Sequence, residues 1–132
     1  MEKIYLPCDE TVIHANVYFP LGDEPYPVAA VIGQIDLKLQ DQLISDGWSI
    51  ILIDELPISE GWLAAIIQEI SLQPMYDLRK CMLIVNQALP SFRNADPLPF
   101  LRIYLHESLR GKSYFSGNTT IRYVSDMNQL QT

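Results

Sequence analysis

Three short apolar runs, residues 28–32, 49–53 and 81–85, punctuate this chain, and between them lie segments whose apolar residues recur at helical spacing. A strand that alternates polar and apolar residues leaves one face in water, whereas an unbroken apolar run buries both. Such strands alternating with amphipathic helices imply an α/β fold, a mixed and largely parallel sheet with helices on both faces.

The connecting segments fit that scheme. Residues 36–46 carry Leu39, Leu43 and Ile44 on one stripe, and Gly47 closes the helix as a C-terminal cap. Residues 59–72 set Trp62, Leu63, Ile66, Ile67 and Ile70 along one face and Glu60, Gln68, Glu69 and Ser71 on the other, the pattern of a helix lying on a sheet. At the N-terminus, residues 3–6 and 11–19 read as a hairpin around Pro7-Cys8-Asp9-Glu10, and residues 20–27 break the pattern with Gly22, Pro25 and Asp23. Beyond the third run, Asp96 followed by Pro97 makes a helix start, with Leu98, Leu101, Leu105 and Leu109 as its stripe and Gly111 as its end. Residues 121–124 form a last strand, and residues 125–131 a closing helical turn or two. The expected order is β-β-β-α-β-α-β-α-β-α in one domain over residues 1–132.

Composition narrows the function classes. A net charge of −7 opposes binding to a phosphate backbone or an anionic membrane, since both are driven by clustered Lys and Arg. No apolar run approaches the roughly 20 residues of a membrane span, and the N-terminus lacks an export signal, so a cytoplasmic location is expected. Cys8 and Cys81 lack zinc-type spacing and sit beside or within apolar runs, as reduced thiols do. Charged residues are 19% of the chain, below the usual quarter, which leaves apolar surface for a partner or a second copy to cover.

In a parallel sheet, sites gather outside the carboxyl ends of the strands, which here places Asp54, Glu55, Ser59, Glu60 and Gly61 at a candidate interaction or regulatory edge. A carboxylate there can bind a cation or act as a nucleophile, but the matching ends offer only Gly33-Gln34 and Asn86-Gln87. Gly111-Lys112-Ser113 has the ending of a phosphate loop, yet His106 stands where that loop needs its first glycine, so the segment reads as a cationic, glycine-capped helix end. The histidines are two, His14 in the hairpin and His106 in the expected third helix. Ser113 and Ser116 have no adjacent base, and Tyr104, Tyr114, Phe115 and Tyr123 supply an aromatic cluster suited to core packing.

Two resemblances attach to these residues. The order of elements, with Ile58-Ser59-Glu60-Gly61-Trp62-Leu63 after the strand ending in Asp54, resembles the STAS domain, the anti-sigma-factor-antagonist type of fold. That resemblance implies a regulatory protein-binding domain, with Ser59 at the place of its phosphorylatable serine. Residues 9–61 are similar to the opening of α/β-hydrolases, through Asp9-Glu10-Thr11, Ala15-Asn16-Val17-Tyr18-Phe19-Pro20, Pro25-Tyr26-Pro27-Val28, Gly33, Gly47-Trp48, Asp54 and Ser59-Glu60-Gly61. The nucleophile elbow of that family, Gly-x-Ser-x-Gly after the next strand, is replaced by Val85-Asn86-Gln87-Ala88-Leu89, and the chain ends before its acid and histidine would follow.

Without a catalytic set, the sequence points to a non-enzymatic domain acting through a protein partner or self-association, with a possible homodimer and no cofactor or metal. Three alternatives stand beside it: a shortened, inactive hydrolase-like protein, a small carboxylate-dependent enzyme using Asp54 and Glu55, and a small-molecule sensor with a closed apolar cavity at the strand ends. A cleft uniting Asp54 with His14 or His106 favours the enzyme.

Overall fold

The computed structural model describes residues 1–93, 100–110 and 120–125. Its elements are β1 (Glu2–Cys8), β2 (Thr11–Tyr18), β3 (Tyr26–Ile32), α1 (Leu37–Ser45), β4 (Ser49–Ile53), α2 (Trp62–Leu72), β5 (Tyr76–Val85), β6 (Arg102–His106), a single 3₁₀ turn (Glu107–Leu109) and β7 (Thr120–Val124). The seven strands form one mixed sheet in the order β1-β2-β4-β3-β5-β6-β7. β1 and β2 pair antiparallel, β2 meets β4 antiparallel, and every other neighbouring pair is parallel.

The three apolar runs become the central strands β4, β3 and β5, whose residues 28–32, 49–53 and 81–85 are buried throughout. Alternate side chains enter two cores. Val28, Ala30, Ile32, Ile51, Ile53, Leu83 and Val85 pack beneath α2 with its Trp62, Leu63, Ile66 and Ile70. Ala29, Val31, Ile50, Leu52, Met82 and Ile84 face the other way, where Leu39 and Leu43 of α1 meet them. A strand buried on both faces has no polar alternation to show, which is why these runs were readable as strands.

α1 begins where Asp36 accepts the Lys38 N–H at 2.8 Å and ends in a Schellman motif. There the Trp48 N–H reaches the Leu43 carbonyl at 2.9 Å and the Gly47 N–H the Ile44 carbonyl at 3.1 Å. Gly47 takes the left-handed conformation that this cap requires, at φ +91°.

α2 starts at Trp62, three residues later than its apolar spacing suggests, because Ser59 is engaged elsewhere and Gly61 precedes the helix without a side-chain cap. β5 is longer than the apolar run. It begins at Tyr76, opposite Tyr26, and slips register before Cys81 pairs with Val28.

The expected third helix is the main departure. Residues 102–106 are a parallel strand beside β5, with Ile103 and Leu105 in the α2 core and Tyr104 in the α1 core. Leu101, Leu105 and Leu109 satisfy helical spacing, but the segment Ile103-Tyr104-Leu105 is equally a strand buried on both sides, and the free edge of β5 decides between them. The helix start at Asp96-Pro97, Gly111-Lys112-Ser113, Tyr114, Phe115, Ser116 and the closing turn beyond residue 125 lie outside the described residues.

The crossover from β3 through α1 runs to one side of β3, while β4 returns through α2 to β5 on the other. Connections leaving β3 and β5 therefore diverge. In an open α/β sheet, this switch in direction opens a crevice outside the carboxyl ends of the two strands.

Candidate functional site

At the β3/β5 switch the crevice is lined by amides. Gly33 follows β3 at φ +102°, donating its N–H to the Ile53 carbonyl at 2.9 Å, and Asn86 follows β5, donating its N–H to the Ile32 carbonyl at 2.9 Å. The Asn86 side chain crosses the gap to the Gln34 carbonyl at 2.8 Å. A Cβ on Gly33 would lie 3.3 Å from the Asn86 carbonyl carbon and 3.4 Å from Gln87 Cγ, so any side chain there would press on the end of β5, and the positive φ itself favours glycine. Neither Asn86 nor Gln87 is a nucleophile or base at ordinary pH.

One strand away, Asp54 and Glu55 follow β4 as exposed carboxylates. They line an open groove of about 650 Å³ whose other walls include Lys3, Tyr5, Val12, His14, Asn16 and Ile58. Strand register explains the company. Asn16 pairs with Leu52, so the same register carried two residues further sets His14 level with Asp54, and Tyr5 pairs with His14 on the far side. The Tyr5 and His14 rings meet edge to face at 5.0 Å. The groove thus unites Asp54 with His14, while His106 does not line it. It is open and mixed in polarity rather than the closed apolar cavity expected of a sensor.

Ser59 lies apart from that row. Its hydroxyl donates to the Asp9 carboxylate at the tip of the β1–β2 hairpin, fifty residues away in sequence, and Arg93 Nη2 reaches Asp9 Oδ1 at 3.1 Å. The Arg93 N–H also donates to the Glu60 carbonyl at 2.8 Å. A Cβ on Gly61 would fall 2.9 Å from both Arg93 Nη2 and Asp9 Oδ2, so a side chain there would have to displace the ends of these two side chains. The Ser59 hydroxyl, and next the Arg93 guanidinium, hold the Asp9 carboxyl below the usual range. A carboxylate so stabilised is a poor base, and the arrangement ties loops together instead of activating Ser59.

Neither Asp9 nor Arg93 was a candidate site residue in the sequence: Asp9 entered only as a turn position and as the head of the hydrolase-like opening, and its meeting with Arg93 is a product of the fold.

At the carboxyl end of β6, His106 Nδ1 lies 2.8 Å from Ser108 Oγ and accepts the Ser108 N–H at 3.1 Å. An accepting Nδ1 leaves the ring proton on Nε2, and the imidazole caps the 3₁₀ turn instead of sitting within a helix. Arg110 pairs with Glu107 at 2.5 Å, with its guanidinium 4.6 Å from the centre of the Tyr123 ring. Cys8 and Cys81 are buried free thiols, and burial pushes the Cys81 thiol up to about 11. Among the described residues, no three His, Cys, Asp or Glu side chains are grouped to hold a metal ion, and no helix is long and apolar enough to cross a membrane.

No family model and no curated protein matches the chain. Solved structures do. The thermophilic carboxylesterase EstE1, cloned from a metagenomic library, superposes with a TM-score of 0.59 at 13% identity over 80% of this chain and 46% of its own. The esterase domain of a Rhodothermus marinus protein gives 0.56 at 13% over 80% of this chain and 49% of its own. Est1E from Butyrivibrio proteoclasticus gives 0.54 at 15% over 64% and 40%. The chain spans less than half of each of these structures, and at such identities the likeness establishes the α/β-hydrolase fold alone.

That fold overturns the STAS resemblance, since the similar structures are esterases, hydrolases and peptidases and none is an antagonist domain. Locally, Ser59 does not open the helix but is bound to Asp9. The expectation of a non-enzymatic, protein-binding or self-associating regulatory domain falls with it. It rested on the missing catalytic set, whereas the structures this chain resembles are those of hydrolases and esterases.

Proposed function

We propose that this chain is a hydrolase-type α/β domain from which serine-dependent acyl transfer has been lost. The observation that carries the reading is the end of β5. An elbow must present a serine there on a tight strand-to-helix turn, close to N–H donors from the loop after β3. In this chain Val85-Asn86-Gln87-Ala88-Leu89 occupies the position, Gln87 stands at the serine's place, and Asn86 is tied across the crevice to Gln34. The Asn86 amide thus bridges the ends of β3 and β5 where the elbow would stand.

The test is incubation of the full chain with a fluorophosphonate probe and with p-nitrophenyl acetate. Mass spectrometry is expected to find no adduct on any serine, and the ester assay no burst. A stoichiometric adduct, or a burst abolished by substituting one serine, overturns the proposal.

The groove favours a second reading, a carboxylate-dependent enzyme working through Asp54 with His14. It predicts slow turnover of an activated ester or related substrate that is insensitive to the probe and lost in both Asp54→Asn and His14→Gln. Equal turnover by both variants and the parent rules it out.

A further inference from the structure

We infer that the groove between the β1–β2 hairpin and residues 54–58 binds a small organic cation, an ammonium or guanidinium group carried on a compact apolar body. This site lies at the β4 end and is separate from the β3/β5 crevice on which the proposed function rests.

Its size comes first. About 650 Å³ falls within the roughly 300–1,000 Å³ of small-molecule sites. The lining then selects the ligand. Ile13, Ala15 and Val17 point into the α2 core, so the alternate residues Val12, His14 and Asn16 face outward, and Tyr5 joins them across the hairpin. α1 covers the sheet at β3 and β4 and leaves this hairpin face open.

Tyr5 and Val12 are 60% and 44% exposed, and Ile58 on the opposite wall is fully exposed. Together they offer an apolar and aromatic floor to a ligand body.

Charge is segregated along this floor. The register carried past Leu52 sets Asp54 level with His14 and Glu55 one residue beyond it, whereas Lys3 pairs with Asn16, one row back along the strands. Two rows are roughly 7 Å apart along a strand. Among the described residues, no Lys or Arg forms an ion pair with Asp54 or Glu55. A cation at that end gains two carboxylates beside the exposed Tyr5 ring, while an anion there meets both carboxylates in a chain of net charge −7. A bare metal ion is a poor fit, because the groove lacks a third grouped ligand among the described residues.

The experiment uses the ¹⁵N-labelled full chain at pH 7. Benzylammonium is titrated in, with benzyl alcohol as its neutral counterpart and benzoate as the anion, and amide shifts are followed. Shifts are expected in the hairpin and residues 54–58, with benzylammonium at least about tenfold tighter than the other two, a difference of about 1.4 kcal/mol. The Asp54→Asn/Glu55→Gln double variant is expected to lose that tenfold and leave benzyl alcohol unchanged. Tyr5→Ala, at an exposed position, is expected to weaken benzylammonium without altering the fold.

Equal binding of benzyl alcohol, undiminished binding by the double variant, or no shift of groove residues at roughly 10 mM ligand, a concentration that detects millimolar affinity, overturns the inference. None of these outcomes bears on the elbow, which is probed at different residues.

Discussion

Substituting Gly33 by alanine tests whether the β3 and β5 ends are as tightly closed as they look. Two costs are separable. The first is conformational: φ at Gly33 is +102°, a region where a Cβ typically costs about 1–2 kcal/mol. The second is steric. The new methyl would sit 3.3 Å from the Asn86 carbonyl carbon and 3.4 Å from its oxygen. That backbone is pinned by the Asn86 N–H to Ile32 bond at 2.9 Å and by the side-chain bond to Gln34 at 2.8 Å. Moving it by a few tenths of an ångström strains both bonds, and overpacking of this kind costs about 1–3 kcal/mol.

Gly47 supplies the control. Its φ is +91°, yet nothing lies within 4 Å of the Cβ it would gain. Gly47→Ala therefore isolates the conformational cost. We expect about 1–2 kcal/mol for Gly47→Ala and about 2–5 kcal/mol for Gly33→Ala. The assay is urea unfolding followed by circular dichroism. With m-values of about 1–3 kcal/mol/M, the Gly33 variant should lose on the order of 1 M in midpoint at unchanged slope. If Gly33→Ala costs no more than Gly47→Ala, the close approach of the two strands is wrong, and so is the closed crevice drawn from it.

The folded Asp9 carboxyl is held below its unfolded value near 4, so its contribution is present above that value and disappears as pH falls through the folded pKa. Asp9→Asn, which tolerates the φ of +53° at this turn, should lose less stability than the parent as pH falls below about 4 in acid unfolding, and equal slopes would refute the Ser59 and Arg93 tie. The Tyr76 hydroxyl is buried without a hydrogen-bond partner among the described residues, and burial raises its pKa well above the usual tyrosine range. Tyr76→Phe should therefore be neutral or stabilising by up to about 1 kcal/mol in the same urea assay, and a loss above about 1.5 kcal/mol would show that the hydroxyl has a partner. Leu83 is fully buried in the α2 core, so Leu83→Ala should cost about 2–5 kcal/mol, whereas Leu72→Ala at an exposed site should cost under about 1 kcal/mol. Equal losses would place β5 wrongly in the sheet.

The central strands were legible because burial on both faces leaves an uninterrupted apolar run, and α1 because Asp36, its apolar stripe and Gly47 mark both ends and the core face. The same logic failed at β6. A five-residue strand with Ile103, Tyr104 and Leu105 buried on two sides carries no period of its own, and flanking leucines lend it a helical one. Only the unpaired edge of β5 selects extended backbone there. The edge after β4 was also legible as a location, since Asp54 and Glu55 end an apolar run.

What that edge does depended on distance in sequence. Local residue patterns determine which segments are strands and helices, because propensity, capping and burial periodicity act within a few turns. They do not encode strand order, and strand order decides everything about the site. The sequence β1-β2-β4-β3-β5-β6-β7 moves the switch crevice to Gly33 and Asn86, draws Ser59 onto Asp9 and Arg93, and sets His14 level with Asp54. Each of these meetings joins residues tens of positions apart, and their partners are chosen by how the sheet packs rather than by any motif. Local composition thus determined an α/β chain with an acidic strand end, and residues 9–61 already carried a resemblance to the opening of α/β-hydrolases; the strand order set by tertiary packing is what separates that layout from the STAS one.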